Sequence, residues 1–138
     1  MVMLSDAMLI FILFYAAVLV SGYFLYAQKK SKEVQTDYWI GAVAGNLPFV
    51  IGALFWLDSV EHLKPNPEND WQLLGVLFLG FIGVMATLFY YFLVLISGVV
   101  ITVVISSIRK RFHSVLIFII VHFITAPSAL LALYFAWQ

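Results

Sequence analysis

The chain has 138 residues, of which 64% are hydrophobic and only 10% charged, whereas soluble domains carry roughly 25% charged residues; its mean hydropathy is +1.07. Seven basic residues balance seven acidic ones, so there is no dense cationic stripe to neutralise phosphates, and the charge pattern argues against a nucleic-acid partner. Cysteine is absent, which removes disulfides, thiolate catalysis and thiolate metal sites.

These limits leave an all-α integral membrane bundle, one domain over residues 1–138, with the lipid bilayer as its surroundings. Four transmembrane helices are expected at about residues 7–27, 38–57, 71–108 and 112–137. The first apolar stretch has no Lys or Arg before it and Lys29, Lys30 and Lys32 after it. A secretory signal has the opposite order, so this stretch reads as a retained crossing. Ala17 and Ser21 give it a small-x-x-x-small pair suited to helix contact.

In the second crossing, "GAVAG" and the residues after it place Gly41, Gly45, Pro48 and Gly52 on one face at about 100° per residue. Asn46 lies on the opposite face. The acidic loop "DSVEHLKPNPEND" follows. Its Glu61, His62, Glu68 and Asp70 are conceivable cation ligands, but Pro65 and Pro67 separate them, and the stretch reads as a solvated acidic loop with no metal.

The third stretch, residues 71–108, is uncharged for 38 residues, although roughly 20 suffice to cross the hydrocarbon core. It contains no polar turn, so it reads as one over-long helix. "RKR" fixes its inner boundary near Ile108, and counting back roughly 25 residues for a tilted helix reaches Val84. The excess therefore lies at the outer end, among Gly75, Gly80 and Gly83. The expectation is a segment over residues 71–83 that bends in the outer leaflet or over the other helices. The rival is a straight helix that projects into a partner. Gly80, Thr87, Tyr91, Gly98, Thr102 and Ser106 share a narrow arc of this helix, the small and hydroxyl chemistry of membrane helix contacts.

The fourth crossing aligns His122 with Ala126, Ala129 and Ala136. Counted at 1.5 Å per residue, His122 and Asn46 both lie about 10–15 Å from the inner boundary. They form a candidate buried polar pair that holds the second and fourth crossings in register. Haem ligation needs a second histidine in the same cavity, but His113 lies half a turn away in angle and His62 is in the acidic loop. A Ser21 and His122 dyad lacks both a nucleophile motif and a carboxylate to orient the imidazole. Neither a cofactor nor a catalytic residue is expected. All seven carboxylates are assigned to helix ends or loops, unlike those of proton-coupled carriers.

Short loops rich in Lys and Arg stay cytoplasmic. "KKSKE" and "RKR" are therefore inside, and both termini are on the non-cytoplasmic side. Trp39, Trp56, Trp71 and Trp137 all fall at expected helix ends, the headgroup level that amphipathic rings prefer. The expected location is a membrane, with the bacterial inner membrane preferred.

The function expected from this pattern is non-enzymatic association through transmembrane helices. The chain would be an accessory or assembly subunit of a membrane complex, or an immunity-type inhibitor of a pore-forming partner. The small-residue faces are expected first as the internal seams of the four-helix bundle; in the sharper reading one of them, Gly41, Gly45 and Gly52 or the stripe on the third helix, would meet a membrane-protein partner or a second copy. The alternative is a small oligomeric channel or carrier lined by Asn46, Thr87, Tyr91 and His122. A b-haem protein or intramembrane enzyme is the residual case.

Overall fold

The computed structural model describes residues 5–61 and 70–137, and among them every regular element is a helix. α1 is Asp6–Gly22, capped by the Ser5 hydroxyl, which accepts the Met8 N–H at 3.3 Å. Asp6 in its first turn complements the positive end of the helix dipole. α1 runs on through a wide π turn, Tyr23–Ala27. The side-chain amide of Gln35 then donates to the carbonyls of Gln28 and Lys30, at 3.1 and 3.2 Å, and closes the link to α2.

α2 is Lys32–Trp39, a second wide turn covers Ile40–Ala44, and α3 is Leu47–Glu61. Together they make the second crossing. Its helical backbone starts at Lys32, six residues before the expected start at residue 38, because the Ser31 hydroxyl caps it by accepting the Val34 N–H at 3.5 Å. The apolar stretch marks where the chain enters lipid; the cap marks where the helix begins. The wide turn precedes Pro48, whose ring crowds the carbonyl four residues earlier, and one extra residue in the turn relieves that clash.

α4 is Asp70–Arg109, 40 residues in one unbroken helix, and α5 is His113–Trp137 with Pro127 inside it. Between them Lys110 adopts a left-handed conformation, φ 56°. The Arg111 N–H bonds the Ser106 carbonyl at 3.0 Å and the Lys110 N–H reaches the Ser107 carbonyl at 3.4 Å. This is a Schellman ending, made with lysine where glycine is usual.

α5 is the hub, in contact with α1, α2, α3 and α4. Four spans, Asp6–Ala27, Lys32–Val60, Asp70–Arg109 and His113–Phe135, are long and apolar enough to cross a membrane. The protein is therefore an all-α integral membrane bundle. Its core has two parts, one around Phe11, Phe49, Leu57 and Ala129, the other around Ala27, Tyr38, Ala42 and Ile117. Most of the remaining large apolar side chains face outward, as they do in a protein whose solvent is lipid.

α3 and α4 are antiparallel, with Gly45 against Gly98 and Trp56 bonded to Thr87. Carried along the helices, that register sets the end of α3 near the level of Ile82, so residues 70–81 continue about 18 Å further. The third helix is over-long, as expected, and Gly75, Gly80 and Gly83 do not interrupt it. In an apolar setting a helix keeps its backbone hydrogen bonds internal, and that outweighs the roughly 1 kcal/mol that each glycine costs. This outer segment does not cover the other helices. A Cβ added at any of its three glycines would meet nothing within 4 Å, and Trp71 is 83% exposed.

Candidate functional site: a buried polar chain beside an apolar crevice

Asn46, from the junction ahead of α3, and His122, from α5, are buried together in the bundle. The Asn46 amide nitrogen donates to the carbonyls of Gly41 and Ala42, at 3.2 and 3.3 Å, within the wide turn. Its oxygen is thereby left as an acceptor, and it lies 3.3 Å from His122 Nδ1. Nδ1 must then carry the proton, and Nε2 accepts from the Tyr91 hydroxyl of α4 at 2.7 Å. From α1, the Tyr15 hydroxyl donates to the Ala42 carbonyl at 2.5 Å. A single chain of hydrogen bonds thus links all four crossings, with a neutral imidazole in the middle, and the Phe49 ring packs edge-on against that imidazole. The wide turn is what exposes the Gly41 and Ala42 carbonyls to side chains, since π geometry loosens the helical pairing.

The small-residue positions are occupied inside the bundle. A Cβ at Gly41 would lie 2.3 Å from the Ser114 carbonyl oxygen, one at Gly45 2.5 Å from the Thr102 methyl, and one at Gly98 2.5 Å from the Gly45 carbonyl. Gly52 lies under Tyr90 in the same way, at 2.9 Å from its hydroxyl. The glycine face of the second crossing therefore seats α4 and α5 and is closed to any outside helix. The face thus serves as an internal seam of the bundle, the first of the two uses expected of it. Thr102 is buried, with its hydroxyl on the Gly98 carbonyl at 2.9 Å, and Thr87 accepts the Trp56 indole N–H at 3.1 Å. Gly80 alone of these positions meets nothing.

At the Arg109 end, a cluster that the sequence reading missed ties α2 to the α4–α5 turn. Asp37 is fully buried. It accepts from Arg109 on one oxygen and from Arg111 on the other, the latter at 3.0 and 2.9 Å. Arg111 also reaches Glu33 at 2.8 Å, and the hydrogen bond that it donates to Asp37 raises the Arg111 pKa above its ordinary value. The detectable signal was Ser31 followed by Glu33, a helix-start pattern that puts Asp37 within the helix rather than in a loop. Nearby, Tyr26 bonds His113 and the Ser106 and Ser114 hydroxyls meet at 2.7 Å.

Beside the polar chain, a crevice of about 410 Å³ opens between α3, α4 and α5, with Phe49, Trp56, Tyr90, Tyr91, Phe123 and Ala126 among its walls. Both His122 nitrogens are committed, Ser21 stands exposed on α1, and no group of three His, Asp or Glu residues is poised for a metal among the described residues. His62 and Glu68 of the acidic loop lie outside the described residues. Comparison with protein-family models, curated proteins and solved structures finds no match.

Proposed function

We propose that the protein works by helix association, as an accessory or assembly subunit of a membrane complex or an immunity-type inhibitor of a pore-forming protein. Its docking element is the outer half of α4. One observation carries this reading. α4 runs 40 residues without a break, about 60 Å, twice the roughly 30 Å hydrocarbon core, and its outer segment over residues 70–83 is apolar, with nothing within 4 Å of a Cβ added at Gly75, Gly80 or Gly83. Leu73, Leu74, Leu77, Phe78, Leu79, Phe81 and Ile82 are all exposed and spread over about 240° of the circumference at 100° per residue, and Val76, Gly80 and Gly83 fill the rest with apolar surface. A helix apolar on all sides is stable only when enclosed. One copy of α4 laid alongside would cover a single side, so a groove formed by several helices of a different chain suits it better.

With the cationic turns on the cytoplasmic side of a bacterial inner membrane, the docking half and both termini face the opposite side. The channel or carrier reading has weaker support, since Asn46, Tyr91 and His122 bond one another and Thr87 bonds Trp56.

Photo-crosslinkers at Leu77 and Phe81, in cells expressing the protein at native level, test this. We expect a protein adduct of a second, different chain at both positions, and none at Leu13, which faces outward on α1 at 68% exposure. Lipid adducts alone at Leu77 and Phe81 would defeat the reading, and an adduct of twice the chain mass would replace the foreign partner with a second copy.

A further inference from the structure

The crevice between α3, α4 and α5 has features that neither the bundle nor the docking helix accounts for. Its mouth is flanked by Leu88, Phe123 and Leu130, all exposed on the outer surface of the bundle, so it opens to the bilayer and not to water. Inside, the walls are apolar except for the hydroxyls of α4. Two of these are spoken for, because Tyr91 donates to His122 and Thr87 accepts from Trp56. Tyr90 differs. It lines the crevice with its hydroxyl lying on the bare backbone of Gly52, 2.9 Å from where a Cβ would be, and it makes no hydrogen bond among the described residues. A hydroxyl left unpaired in an apolar setting is costly, so the occupant should bring an acceptor.

Depth identifies the acceptor. Counting roughly 20 residues from Ile108 for an upright helix reaches Leu88, and roughly 25 for a tilted one reaches Val84. Tyr90 therefore sits two to six residues, about 3–9 Å, inside the outer hydrocarbon boundary, where the ester carbonyl at the head of an acyl chain is within reach of its hydroxyl. Size points the same way. The crevice is a cleft of about 410 Å³ between the side chains of three packed helices, whereas a helix with its side chains is about 10–12 Å across. A partner helix is too wide, whereas a flexible hydrocarbon chain is not.

We propose that this crevice binds one acyl chain of a membrane glycerolipid, with the Tyr90 hydroxyl donating to the ester carbonyl at the head of that chain. The site lies inward of the docking segment, residues 70–83, and the lipid would brace α4 against α3 and α5 where the helix leaves the bundle.

The test is a titration of the protein in maltoside detergent with phosphatidylcholine brominated in the acyl chain. Quenching is read from Trp56 after Trp39, Trp71 and Trp137 are replaced by Phe. We expect saturable quenching, binding of diester lipid roughly five-fold tighter than the diether analogue, as one net hydrogen bond gives, and loss of that preference in Tyr90→Phe. Ala126→Leu, which fills the crevice from α5, should abolish saturation. Equal affinity for diester and diether lipid, or quenching that rises without saturating and ignores Ala126→Leu, would overturn the proposal. Native mass spectrometry of the unaltered chain repeats the ester and ether comparison without any substitution. Retention of a second copy in place of lipid there would overturn it as well.

Discussion

His122 occupies the position where an unpaired polar atom would cost most, and it has none unpaired: Asn46 and Tyr91 take one ring nitrogen each. Removing the imidazole in His122→Ala strands both neighbours in the bundle. We expect a loss of about 1–2 kcal/mol, the upper range for membrane hydrogen bonds, read from reversible unfolding in mixed micelles, with Asn46→Ala and the double variant closing the cycle. A coupling near zero between the two positions would show that the pair sets no register. That Asn46 and His122 sit at similar depth was legible in the sequence, since depth is only a count of residues. Their third and fourth neighbours were not. The sequence places Tyr91 in a stripe of packing residues and, in the channel alternative, in one lining with Asn46 and His122, but not in a bond with either, and it does not single out Tyr15, because an aromatic hydroxyl bonds across helices at an angle that no linear spacing encodes. Asp37 was hidden for another reason. It was placed at a helix end by the start of the apolar stretch, and the cap at Ser31 moved that end outward by two turns.

At the scale of elements, the small-residue faces were readable, because 100° periodicity places Gly41, Gly45 and Gly52 together whatever surrounds them. What sits on those faces was not readable. Gly45 meets Thr102 of α4 and Phe118 of α5 at once, and a face in use on both sides has no room for an outside helix. Gly45→Ala should therefore destabilise the bundle itself, by about 1–3 kcal/mol as overpacked sites do, seen as a lower unfolding midpoint in detergent with no partner present. An unchanged midpoint, with only co-purification lost, would return the glycine face to a partner. The two wide turns were equally out of reach. Pro48 announced a local disturbance, but whether a helix kinks, breaks or takes in an extra residue depends on what receives the freed carbonyls. Here Tyr15 and Asn46 receive one of them.

For the whole molecule, the outer half of α4 gives a sharp contrast between stability and association. Leu77→Lys and Phe81→Lys change residues that are 62% and 65% exposed on a segment whose glycines have open space around them. The paired substitution should leave the unfolding midpoint within the ±0.5 kcal/mol typical of surface changes while abolishing the partner adduct. A large fall in stability instead would mean that this half of the helix is part of the bundle.

The sequence alone determined that the chain lives in lipid, that four stretches cross it, that the third is too long, and which faces are small or polar. All of these follow from composition, length and the fixed period of a helix. The tertiary structure decided which face meets which. It turned the glycine surface inward, tied the cationic turn to a buried carboxylate, closed the polar chain across four helices, and left one hydroxyl facing an apolar crevice. The reason is that helix geometry is set locally by the backbone, whereas the pairing of faces depends on rotation and register between segments far apart in the chain. Those are settled only by the simultaneous fit of every side chain around α5.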